Sequence, residues 1–132
     1  MDILIVEDEA ILAMAYMQSL RKLGDLDLEC VCSAEEALAA VERCLPRLIL
    51  MDIKLRGELD GITVAEIIRQ RYDMPIVFIT AYSDPETLRR ARLTRPFRIL
   101  GKTGDNGELV NTVEELIGFG DGFSRKTGEI QQ

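Results

Sequence analysis

Short, continuously apolar runs alternate along this chain with stretches whose apolar residues recur at helical spacing. Ile3-Leu4-Ile5-Val6, Leu48-Ile49-Leu50-Met51 and Ile76-Val77-Phe78-Ile79 are each too short for a helix and lack the alternation of a half-wet strand. They read as strands buried on both faces of a parallel sheet. A helix predicted from about Glu9 to Leu23 places Leu12, Tyr16 and Leu20 at i, i+4 and i+8, with Gly24 as its stop. A weaker strand, Asp27 to Cys32, puts Leu28, Cys30 and Cys32 on one side. Ser33 and Glu36 have capping-box spacing ahead of Ala34, Ala37, Leu38 and Val41, and Pro46 ends that helix. The third strand runs from Arg47 to Asp52, followed by a polar loop to Gly61 and a helix from about Ile62 to Arg71. Pro75 opens the fourth strand, which ends at Thr80; Ser83 or Asp84 caps the short helix begun by Pro85. The fifth strand, around Phe97 to Leu100, has the weakest pattern. The last helix has one of the clearest, with Leu109, Val110, Val113, Leu116 and Ile117 on one face. Residues 1–119 are thus expected to form one domain and 120–132, rich in Gly and polar residues, a flexible tail. Strict alternation of strand and helix predicts an α/β protein, a three-layer, doubly wound, five-stranded parallel sheet.

Composition narrows the function. A chain of 132 residues, 47% hydrophobic, supports one core. With 16 basic against 23 acidic residues and net charge −7, it is not expected to bind nucleic acid directly, because neutralising phosphates needs a basic surface. No run approaches the roughly 18 apolar residues of a membrane span, and no secretory signal pattern opens the chain, so a cytoplasmic location is expected. Cys30, Cys32 and Cys44 lack metal-ligand spacing and there is no histidine; they are expected to be reduced, buried packing residues.

Four polar features fall at or just past the ends of four strands: Glu7-Asp8, Asp52, Thr80 and Lys102. In an open α/β sheet those ends share one edge, where ligands bind. Clustered carboxylates repel one another unless a cation sits among them, and Mg²⁺ favours one or two carboxylates with water and phosphate oxygens. Beside such an ion, the Lys102 ammonium and Thr80 hydroxyl could meet the oxygens of a phosphoryl group, and a carboxylate could be its acceptor. Asp52 is the best placed.

The chain from Met1 to about Phe119 resembles the receiver domain of two-component response regulators. The resemblance rests on Ile3-Leu4-Ile5-Val6-Glu7-Asp8-Glu9, Leu50-Met51-Asp52-Ile53, Leu59-Asp60-Gly61, Ile79-Thr80-Ala81-Tyr82-Ser83 and Lys102. It implies a flavodoxin-like fold of strand order 2-1-3-4-5. It implies further that Asp52 takes phosphate from a histidine kinase or phosphotransfer protein, with Mg²⁺ held by Glu7, Asp8, Asp52 and the Lys54 backbone carbonyl. Thr80 and Lys102 would contact the phosphoryl oxygens. Such a protein would be no enzyme beyond its own phosphorylation and dephosphorylation.

The sequence departs from the family pattern at several places. Thr103 follows the lysine where Pro is usual. Ile99, three before Lys102, replaces the usual aromatic residue, leaving Phe97 or Tyr82 as substitutes. The loop after Asp52 carries Arg56-Gly57-Glu58, one residue more than usual and without the common Pro. Lys54 and Tyr82 flank the path of the hydrolytic water in receivers, which implies a long-lived phosphate.

Arg89, Arg90, Arg92, Arg95 and Arg98 place five positive charges and no acid in ten residues, leaving −12 on the rest. That stretch is expected to be either a solvated face or an output surface for an acidic partner. With no further domain in this sequence, output would pass through protein contacts, and a homodimer is left open. The competing reading is an unphosphorylated pseudo-receiver acting as a binding module, prompted by Thr103 and Ile99.

Overall fold

The computed structural model of the protein describes residues 1–81, 84–102 and 106–118. Five parallel strands, β1 (Ile3–Val6), β2 (Leu28–Val31), β3 (Leu48–Asp52), β4 (Ile76–Thr80) and β5 (Arg98–Gly101), form one sheet in the order β2-β1-β3-β4-β5. This is the doubly wound, flavodoxin-like order that the resemblance implied. The helices are α1 (Ala10–Arg21), α2 (Ala34–Arg43), α3 (Gly61–Arg69), α4 (Pro85–Leu93) and α5 (Gly107–Ile117). Tyr82, Ser83, Thr103 and the 120–132 tail lie outside the described residues.

The three central strands are buried on both faces, which explains why they carry no polar alternation. Leu4, Val6, Ile49, Met51, Ile76 and Phe78 point to one side, against Ala37 and Val41 of α2, Ile62, Ala65 and Ile68 of α3 and Ala91 of α4. Ile3, Ile5, Leu48, Leu50, Val77, Ile79 and Leu100 point to the other, against Tyr16 and Leu20 of α1 and Leu109, Val113 and Ile117 of α5.

Helix starts follow their caps. Ser33 Oγ accepts the Glu36 N–H at 3.2 Å, while the Glu36 carboxylate reaches back to the Cys32 N–H at 3.0 Å, one residue earlier than a capping box would place it. Asp60 and Asp84 cap α3 and α4 through the N–H groups of Thr63 and Thr87. Helix α1 stops at Arg21, before Gly24, whose φ of 141° turns the following loop instead.

Two expectations are corrected. Cys30, Cys32 and Cys44 are free but exposed rather than buried, because β2 is the outermost strand and Cys44 lies past the end of α2. Phe97 does not replace the aromatic residue missing at Ile99. Its N–H bonds the carbonyl of Ile76 at the start of β4, the opposite end from Thr80, and its ring lies under the Arg98 guanidinium.

Candidate functional site

The parallel register delivers the predicted polar residues to one edge. Val6 pairs with Met51, Asp52 with Ile79 and Thr80 with Gly101, so the residues ending or following β1, β3, β4 and β5 stand side by side. Lys102 is fixed by its own N–H, which donates to the Thr80 carbonyl at 2.9 Å. Glu7, Asp52 and Thr80 are all buried.

Lys102 Nζ is the hub. It lies 3.0 Å from Asp52 Oδ2, 3.2 Å from Glu7 Oε1 and 3.8 Å from Glu9 Oε1. Asp52 Oδ1 accepts the Lys54 N–H at 3.3 Å, and Glu7 Oε2 accepts the Glu9 N–H at 3.2 Å. Asp8 is less enclosed; its Oδ2 accepts the Arg56 N–H at 3.0 Å, with the Arg56 Nε 3.6 Å away.

One positive charge does not balance this cluster. Burial, then the neighbouring Asp52 charge, pushes Glu7 up to about 7. Burial also raises Asp52, against the opposing pull of Lys102. Burial alone would lower Lys102, but the Asp52 and Glu7 carboxylates outweigh it and hold the ammonium raised. Tyr16 is pushed up to about 12, first by burial and then by the Glu7 charge.

Glu7, Asp8 and Asp52 each offer an oxygen within 4.8 Å of the others. Glu7 Oε1 is buried and accepts no hydrogen bond among the described residues, although it faces the Lys102 ammonium. A buried, under-satisfied oxygen among converging carboxylates fits a hard divalent cation with an oxygen ligand set.

Sequence reasoning named Arg56 and Gly61 but missed the part each plays at the site. The Arg56 main chain closes on Asp8, and nothing in the loop's composition marks this. Gly61 packs so closely on β3 that a Cβ there would overlap the Asp52 carbonyl oxygen and lie 2.9 Å from Met51 Cγ, while its N–H bonds the Ile53 carbonyl at 2.7 Å. Glycine at a helix's first position, where it weakens helix formation, was the available signal.

The fold and this edge define a class, and the chain belongs to it: it is a member of the response regulator receiver domain family, whose profile matches residues 3–114. The transcriptional regulatory protein PdtaR of Mycobacterium tuberculosis is 32% identical over 115 residues, covering 87% of this chain and 56% of PdtaR. The chain therefore spans about half the length of the curated relatives it matches. Among solved structures, the signal receiver domain of a modulated diguanylate cyclase from Desulfovibrio desulfuricans superposes with a TM-score of 0.79 at 34% identity, over 89% of this chain and 93% of that one. The CheY-like receiver protein of Methanospirillum hungatei gives 0.79 at 26% identity, over 86% and 90%. Membership of that family is consistent with two-component signalling.

Proposed function

We propose that the protein is a phosphoacceptor whose Asp52 receives a phosphoryl group from a histidine kinase or phosphotransfer protein. The observation that carries this reading is the buried contact of Lys102 Nζ with Asp52 Oδ2 at 3.0 Å, beside Glu7 and Asp8 and adjoining Thr80. An Asp52 carboxylate oxygen attacks phosphorus, the bond from phosphorus to the donor's imidazole nitrogen breaks, and the imidazole leaves. Glu7, Asp8, Asp52 and the Lys54 carbonyl would hold Mg²⁺. The bound ion supplies charge neutralisation at the phosphoryl oxygens. Lys102 keeps its proton and turns its ammonium from the free carboxylate to a phosphoryl oxygen, and the Thr80 hydroxyl donates to another.

The protein would be no enzyme beyond forming and hydrolysing its own acyl phosphate. It would work in the cytoplasm, away from the membrane and without touching nucleic acid, and signal by protein contacts on the face running from Arg89 to Arg98, with a homodimer as one available form. No helix among the described residues is long and apolar enough to cross a membrane. The bulk of Lys54, beside the acceptor, supports a long-lived phosphate; unchanged hydrolysis in Lys54→Ala would remove that argument.

The test is intact mass after incubation with acetyl phosphate and Mg²⁺. A gain of one phosphoryl group, lost with EDTA and in Asp52→Asn, is expected. No gain with any donor would favour the unphosphorylated binding module, whose support is that Lys102 and Arg56 engage the three acids as ion-pair partners.

A further inference from the structure

The five arginines between Arg89 and Arg98 are not equivalent. Arg89 makes two bonds to the Glu86 carboxylate, at 3.1 and 2.7 Å. Arg90 Nη1 bonds Asp60 Oδ2 at 3.1 Å. Arg98 Nη1 is shared between Thr112 Oγ1 and Glu115 Oε1, each at 3.1 Å. Arg92 and Arg95 are exposed, and among the described residues neither guanidinium has an ion-pair partner. The unneutralised charge of the cluster is therefore confined to these two residues.

Both line a groove of about 480 Å³ between α4 and β5, together with Leu88, Pro96, Arg98 and Ile99. No acid lines it. Leu88, Pro96 and Ile99 give it an apolar floor large enough for an inserted side chain. Its wall is held in an unusual backbone. Arg95 has φ 55°, the one left-handed non-glycine among the described residues. The Arg69 guanidinium of α3 holds that turn, bonding the carbonyls of Thr94 at 3.2 Å, Arg95 at 3.1 Å and Met74. The Arg95 backbone is thus positioned before any ligand arrives, which lowers the ordering needed on binding.

We propose that this groove docks an acidic segment of a partner protein, with an apolar side chain on the Leu88, Pro96 and Ile99 floor and carboxylates on Arg92 and Arg95. The inference rests on the output face assigned above and names the chemistry of its partner. Two bare guanidinium groups on a protein of net charge −7 are too few to track a polyphosphate backbone. They do complement a short carboxylate-bearing peptide. A second copy of the chain, acidic elsewhere, would dock head to tail, an arrangement that need not close.

The test is an NMR titration of the full chain, following arginine Nε–Hε and methyl signals. The probe is an acetylated, amidated peptide with one leucine flanked on each side by two glutamates. Expected are shifts at Arg92, Arg95, Leu88 and Ile99, attenuated by salt, absent with a glutamine-for-glutamate peptide, and weakened roughly fivefold or more in Arg92→Gln with Arg95→Gln. Equal shifts from the glutamine peptide, shifts indifferent to the double substitution, or shifts centred on Arg89 and Arg90 would overturn the proposal. So would an oligothymidylate that binds there as tightly, or groove shifts that appear on concentrating the protein alone and resist competition by the peptide. Peptide binding needs no phosphate on Asp52, so its failure is distinguishable from failure of phosphoryl transfer, which intact mass reads separately.

Discussion

Asp60 serves two helices with one carboxylate: Oδ1 accepts the Thr63 N–H at 2.9 Å and caps α3, while Oδ2 accepts from Arg90 of α4 at 3.1 Å. Burial would raise its pKa, but the Thr63 and Arg90 donors outweigh that and hold it low. Helix α4 buries only Ala91 among its residues, so this tether carries more of its positioning than an exposed ion pair usually does. Asp60→Ala should cost about 1–2 kcal/mol by losing the cap. Asp60→Asn, which keeps an accepting oxygen, should lose only the pair, and a double-mutant cycle with Arg90→Gln should give a coupling of roughly 0.2–1 kcal/mol. Urea unfolding measures both; zero coupling would mean that the two side chains act separately.

The raised Glu7 makes stability depend on pH. Its folded pKa of about 7 lies above the ordinary 4.5, so between those values the native state binds more protons than the unfolded chain. The stability contributed by the protonated carboxyl is complete below the unfolded value and is lost as pH rises toward the folded one. Without divalent cations, the melting temperature of Glu7→Gln relative to wild type should therefore climb from about pH 5 to about pH 8. A difference independent of pH would show that burial does not hold Glu7 protonated.

Gly61→Ala sets two effects against each other. Alanine improves helix propensity by up to about 1 kcal/mol. Its methyl, however, would run into the Asp52 carbonyl, a backbone atom of a central strand that cannot swing aside. Overpacking of this kind costs roughly 1–3 kcal/mol, so a net loss of stability is expected, together with slower phosphoryl uptake because Asp52 is displaced. Unfolding and mass measurements on one variant read both. A stabilised protein with normal uptake would contradict the close approach.

Lys102→Met tests the ammonium as internal counter-ion. Removing it leaves Glu7 and Asp52 buried without a positive partner. The loss should reach about 3–5 kcal/mol at alkaline pH and shrink in acid as the carboxyls take up protons. Added Mg²⁺ should restore part of it. An equal loss at every pH would assign the effect to packing of the lysine stem.

Much of the fold was legible because its central strands are buried on both faces, which writes runs such as Leu48 to Met51 as unbroken apolar segments. The four strand-end features were legible for the same reason: each stands where such a run stops. Charge pairing was not. Nothing in the stretch from Arg89 to Arg98 distinguishes Arg90, held by a residue 30 positions earlier, from Arg92, which has no ion-pair partner among the described residues. The exposure of Cys30 was missed because its apolar character was read as burial, although the implied strand order already put β2 at the sheet's edge. Arg56 reaches Asp8 through its main chain, which carries no side-chain signature.

Lys102 lies among the buried acids as an internal counter-ion, which under the proposed reading would separate maturation from mineral supply. Small metal domains that have no such internal substitute stay unfolded until their ion arrives. Under that reading a newly made chain would reach its folded shape before any divalent cation is bound, so that loading the ion would belong to signal reception and not to maturation.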